Sequence, residues 1–542
     1  MNKQLSHILF WLCLLFFNKT TAQTSVQDTV LQETTIEIIQ RYKPSLKSTP
    51  KPVLYPELPP RDTTPHRFNY NVPQQSLHYT YAALPLKPLT LAKDTVKTSF
   101  SNYIKAGAGN LSTLYVDAGI AELKGENYNT YIHLYHLSQQ GNIKKQQTSF
   151  SGIKASGNIR LSKHKISGSL SFNRNQYFRY GGDENPAVPD YFPELTYTGF
   201  KASVGLRNLS SEANLLYAPE IFVSNYGVQQ GVQENSFGFI LPLSKSITEQ
   251  IQVGVSTQGI FTGNSLQGKS FSNNVFEITP HLNYRSDKVS LHVSVSPTWA
   301  INGKSYVLHN LSMHLTPAEK KFTLSARWYS QLRRNTFEQL STINPFLSSH
   351  YLTLPSKYET FSLGIQTGIG QHLTLSGKIA HLSRQNMPLY VNDTGFRKDF
   401  YVQYSSQVKA LLFEAGMLYQ VADVFSASVT ATLYNYYQHS GMIRVWHEPG
   451  FVLDGKLSFK PISQLRVSAN LQIIDGIYGL NAAQKETALG TIFDLGAEAE
   501  YQFIERLSVF LRVNNLLHNQ YERWFGYRAY GFNAWGGLRL KF

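Results

Sequence analysis

The chain has 542 residues, of which only 16% are charged and 13% are aromatic, and its formal net charge is +15. After position 22 no apolar run comes near the 18–20 residues a membrane-spanning helix needs, which excludes helical spans. The one cysteine, Cys13, also lies in those first residues, so thiol chemistry and metal sites built from several cysteines are excluded beyond them. The basic balance suits anionic lipid headgroups or an anionic solute in a pore, and scattered loop charge with no partner would produce it equally well.

Residues 1–22 read as a secretory signal peptide. Lys3 supplies the positive start, "ILFWLCLLFF" (Ile8 to Phe17) is a ten-residue apolar run, and "NKTTAQ" follows with small residues at the cleavage positions. Cleavage is expected between Ala22 and Gln23. The residues before Cys13 lack the small side chains of a lipobox, so no lipid anchor is expected. An exported chain of this kind meets neither nucleic acid nor a nucleotide pool.

Residues 23–100 form a different segment. Ten of the 23 prolines fall between Pro44 and Pro88, and "KPSLKSTPKPVLYPELPPRDTTP" has neither helical nor strand periodicity. It reads as extended polyproline-type chain, periplasmic or lying in a lumen. "FNYNVPQQSLHYTYAALPLKPL" (Phe68 to Leu89) is the part expected to occlude such a lumen.

From residue 101 onward one design repeats. "LRVSANLQI" alternates Leu465, Val467, Ala469, Leu471 and Ile473 with Arg466, Ser468, Asn470 and Gln472, and "VSLHVSVS" and "FSASVTATL" behave alike. Alternation of this kind over 8–14 residues predicts strands with one apolar and one polar face. Ten tight turns are expected, near residues 125, 163, 210, 245, 287, 318, 371, 423, 462 and 505, with longer polar stretches between them such as "YGGDENPAVPDYFPELT" and "SRQNMPLYVNDTGFRK". Ten turns join twenty strands, and one more at each end makes about 22. The fold class is all-β: a transmembrane antiparallel up-and-down β-barrel over residues 101–542, with short periplasmic turns and long outer loops. A soluble half-exposed β-protein is the competing reading.

"GNSLQGKS" (Gly263 to Ser270) matches the phosphate-loop pattern letter for letter. Its neighbours, "IQVGVSTQGIFT" and "FSNNVFEITPHLNY", alternate as barrel strands, so a loop tip between two strands is expected and nucleotide binding is not. No zinc-protease, nucleophile-elbow or dinucleotide fingerprint appears after residue 22, and His133 and His136 fall on opposite faces of a strand. No catalytic residue, metal site or cofactor is assigned, and the protein is read as not an enzyme; a Ser/His hydrolase in the same membrane is the minor alternative.

Three stretches resemble TonB-dependent outer-membrane receptors. Arg333-Arg334 and Asn344-Pro345-Phe346 match a pattern common in their barrels, with Leu352-Thr353-Leu354-Pro355 approximating the element that follows and Ser356 standing where those receptors carry Glu. "RVNNLLHNQYERWFGY" (Arg512 to Tyr527) resembles the stretch before their last strand, and Gly537, Leu540 and Phe542 resemble a barrel assembly signal. Asp28-Thr29-Val30 resembles the short box that pairs with TonB by strand addition. The resemblance implies a Gram-negative outer-membrane barrel passing a solute. Its partners would be outer-membrane lipid, lipopolysaccharide and the barrel assembly machinery, with TonB and a surface lipoprotein as further candidates. It departs from those receptors in residues 23–100, which leave no room for their folded plug. The alternative is a non-transporting scaffold that anchors lipoproteins or an envelope assembly, and a surface adhesin is the third reading.

Overall fold

The structure, a computed structural model, describes residues 102–542 apart from 122–124, 126, 182–193, 210–214, 230, 267–268, 301–302, 318–321, 349–352, 394–397 and 482. The signal-peptide, Pro-rich and Asp28-Thr29-Val30 readings lie outside the described residues. Those that are described form a closed antiparallel barrel of 22 strands. Each strand pairs with the next in sequence, and Tyr103–Gly109 pairs with Asn533–Lys541 to close the ring. Each of the ten expected turns lies within two residues of a connection between paired strands. These connections share one end of the barrel, the turn end, and the remaining connections share the other, the loop end.

Alternation decides which side chain meets which solvent. Along Ser356–Ile369, Phe361, Leu363 and Ile365 point outward with 46%, 47% and 49% exposure, while Thr360, Ser362 and Gly364 between them face the lumen. An outward band of exposed leucine, isoleucine and phenylalanine on nearly every strand costs stability in water and gains it in hydrocarbon. Aromatic rings gather near the turn end of this surface, where Tyr419, Phe425 and Phe459 form a chain of edge contacts at 5.9 and 6.1 Å.

Inside, the seam is tied by charge. Lys105 meets Glu498 at 2.6 Å and Glu500 at 3.8 Å, Arg512 Nε donates to Glu498 at 2.6 Å, and Arg539 meets Glu500 at 3.2 Å. Three cations and two carboxylates thus alternate across four strands where the barrel closes. Closure also needs small residues. Gly107 stands opposite Gly537, and a side chain on Gly537 would collide with the Ala106 carbonyl.

Two sequence readings change. The stretch 383–398 is not a long loop: Leu373–Asn392 and Phe400–Val421 run on as one tall hairpin, with Leu389, Tyr390 and Val391 buried. Asn386 and Pro388 made it look irregular. The ladder accommodates them by skipping Asn386, which adopts φ of +52°, a conformation asparagine tolerates. Several loop-end connections are also short, among them 229–232 and 301–304. "GNSLQGKS" is a hairpin: Gly263 pairs with Ser272 and Leu266 with Lys269, and the next element is the strand Val275–Arg285, with no helix to face a phosphate.

Candidate functional site

At the loop end one connection folds inward. After Arg333 the chain leaves the wall and forms the short helix Phe337–Ile343, begun by a reciprocal cap in which Thr336 Oγ1 accepts from Gln339 N and Gln339 Oε1 accepts from Thr336 N, both at 3.3 Å. Glu234, on the facing wall, accepts from Phe337 N at 2.8 Å, placing a carboxylate at the helix start. Asn344 then accepts from Phe346 N at 2.9 Å, bending the chain around Pro345. The Asn-Pro-Phe motif is therefore a turn that drives Phe346 into the barrel mouth.

Wall tyrosines hold this segment by its backbone. Tyr197 donates to the Pro345 carbonyl at 2.6 Å, Tyr390 to the Leu340 carbonyl at 2.9 Å, and Tyr226 lies 3.1 Å from the Ser341 hydroxyl. Phe346 stacks on Tyr527 of the loop 515–532, ring centres 3.5 Å apart, and Tyr180 meets Tyr527 edge-on at 5.1 Å. Phe400 and Tyr390 both pack on Trp524, at 5.5 and 5.3 Å. Residues far apart in sequence thus share one aromatic core, here called the cap.

His447, only 1% exposed, joins four segments. Its Nδ1 donates to the Tyr390 carbonyl at 2.8 Å, its Nε2 accepts from Phe525 N at 3.4 Å, its amide donates to Tyr478 O at 3.0 Å, and its carbonyl accepts from Arg523 at 2.7 Å. Burial lowers its pKa to about 4, and Arg523 adds to the shift, so the ring is neutral near pH 7.

Beneath the cap lies a cavity of about 270 Å³, lined by Arg333, Tyr358, Arg384, Tyr434, Tyr436 and Glu448 among others. The Tyr358 ring is held between two guanidiniums, each 4.5 Å from its centre. Arg384 also donates to the Glu359 carbonyl at 2.8 Å and to Thr360 Oγ1 at 3.1 Å. Tyr434 and Tyr436 stack at 6.0 Å. Among the described residues neither Arg333 nor Arg384 has a carboxylate within ion-pair distance, and the Glu448 carboxylate makes no hydrogen bond or ion pair. Burial raises the Glu448 pKa to about 7, against the pull of Arg523, Arg333 and Arg384.

Of the residues singled out in the sequence, Arg333 lines the cavity, Arg334 donates to Thr262 Oγ1 at 2.6 Å, and Asn344 and Phe346 build the cap. Gly537 sits at the seam facing the lumen, while Leu540 faces outward, 47% exposed, and Phe542 N donates to the Asn102 carbonyl at 3.1 Å. His133 meets Asp117 at 2.9 Å and His136 meets Ser151 at 2.8 Å, so the two have separate partners. Sequence reasoning missed Arg384, Glu448 and Arg523. A usable signal existed in "VWHEP" (Val445 to Pro449) and "ERWFGY" (Glu522 to Tyr527), where tryptophan and charge share a loop.

No protein-family model and no curated protein matches the sequence. Solved structures do match the fold. The siderophore receptor PiuA of Acinetobacter baumannii aligns over 81% of this chain and 82% of its own, with TM-score 0.61 and 12% identity. The FrpB iron transporter of Neisseria meningitidis aligns over 81% of each chain, with TM-score 0.64 and 10% identity. The pyoverdine outer-membrane receptor FpvA of Pseudomonas aeruginosa aligns over 81% of this chain and 78% of its own, with TM-score 0.63 and 11% identity. The chain therefore has the 22-stranded barrel fold of TonB-dependent receptors.

Proposed function

We propose that this protein passes a solute across the Gram-negative outer membrane through the barrel, with the loop end facing the cell exterior, and that the aromatic cap makes passage conditional. One observation carries the reading: the loop 334–348 is bound into the mouth by its own backbone carbonyls and by Phe346, an arrangement suited to a gate. The outward apolar band supports residence in lipid. Of the neighbours named above, one is a siderophore receptor and one an iron transporter, so a chelated metal is the solute class to test first. Force on the gate would come from TonB, paired by strand addition with Asp28-Thr29-Val30.

Conductance in planar bilayers tests the gate. Full-length protein is expected to show little ion flow, and the double variant Phe346→Ala/Tyr527→Ala frequent openings. Large constitutive pores in the unaltered protein would overturn the proposal. Deletion of residues 24–38 is expected to abolish uptake in cells. Unchanged uptake would remove TonB from the account, and co-purifying lipoproteins without any uptake would replace transport by the scaffold reading.

A further inference from the structure

The cavity beneath the cap carries an imbalance of charge. Arg333 closes the strand Phe322–Arg333 and Arg384 projects from Leu373–Asn392; both line the cavity together with Glu448, the one carboxylate of its lining, whereas Arg523 lies outside it, on the His447 carbonyl. Two guanidiniums against one carboxylate leave a cationic excess whether or not Glu448 is ionised. Such an excess is unfavourable in a half-enclosed space unless an anion joins it. The walls are flat as well as charged. Tyr358 lies between Arg333 and Arg384, and Tyr434 and Tyr436 form a stacked face. The volume, about 270 Å³, sits just under the range that takes drug-sized ligands, so it suits one head group of a larger molecule.

We infer that this cavity is a binding site for an oxyanion borne on a planar group, such as an aromatic carboxylate, and that Glu448 opposes the ligand's charge as a built-in competitor. The arginines supply forked donors to the oxygens and the tyrosines supply the faces that select a flat carrier. Protonating Glu448 removes the competition. The groups facing it are Arg333, Tyr358, Arg384, Tyr390, Tyr434, Tyr436 and Arg523, with His447 beside it in the chain. His447 stays neutral across pH 6 to 8, so the change in that window belongs to Glu448. Binding should therefore tighten as pH falls across that window. The inference rests on the transport reading only for the side from which the ligand arrives.

Calorimetry on the full-length protein in detergent tests it, with sodium benzoate as the planar probe and sodium sulfate as the compact one. Both stay ionised from pH 6 to 8. Benzoate is expected to bind about tenfold tighter at pH 6 than at pH 8. Glu448→Gln should bind at both values as tightly as the unaltered protein does at pH 6. Arg384→Gln and, separately, Arg333→Gln should each lose at least about tenfold, with a heat-modifiable gel band showing that each barrel is folded. Sulfate binding equal to benzoate would overturn the planar selectivity. No benzoate binding in any folded form, or an unchanged pH dependence in Glu448→Gln, would overturn the site. Benzoate binding without cellular uptake would sink transport and leave this site standing.

Discussion

His447 shows how one neutral side chain can tie separate segments together at the barrel mouth. It satisfies a strand carbonyl with Nδ1 and a loop amide with Nε2, a pattern available only to the neutral ring. Its closed-state pKa, about 4, lies below the value near 6.5 expected when the loop is open. The closed state therefore keeps its full advantage above pH 6.5 and loses it as pH falls toward 4, by about 3 kcal/mol in all. Glu448 has the opposite sign, since its raised pKa favours the closed state on the acid side and that advantage is lost as pH rises through about 7. The two overlap, so the measurement belongs in Glu448→Gln, where His447 titrates alone. Hydrogen exchange across 440–450 in that variant is expected to rise as pH falls from 6.5 to 4. A flat profile, after correction for intrinsic exchange, would remove His447 from the latch.

At the scale of the element, the helix Phe337–Ile343 is too short to persist alone and depends on its ends. Thr336→Ala removes the Oγ1 arm of the reciprocal cap, leaving only the backbone arm to Gln339, and should destabilise the segment by about 1 kcal/mol. Faster proteolysis within 334–348 at an unchanged barrel melting temperature is the expected outcome, and equal cleavage rates would deny the cap its role. The strands were legible because a side chain facing lipid and its neighbour facing water must differ, and period 2 writes that difference into the sequence. The helix was not, since seven residues leave no repeat to detect. The hairpin crest around Asn386 and Pro388 was misread for a related reason: buried on both faces beneath the cap, Leu389-Tyr390-Val391 does not alternate. Of the cavity, only Arg333 was visible, through its doublet with Arg334. Arg384 and Glu448 meet it only after a strand and a separate loop fold together, and no local pattern records that meeting.

The whole molecule depends on joining its two ends. Gly537→Val would place a side chain against the Ala106 carbonyl and Gly107, and backbone atoms cannot yield as a flexible side chain would. The variant is expected to lose the compact, heat-modifiable gel species, whereas Leu540→Val, facing outward, should keep it. Equal folding of both would show that the seam tolerates bulk. The cap, for its part, joins Tyr180 and Tyr527, from early and late in the barrel sequence, through Phe346 from its middle. They can meet only once the ring has closed. Cap formation is therefore a clock for biogenesis: a protease added during insertion should find 334–348 open until the final strand docks, then protected within the same kinetic phase.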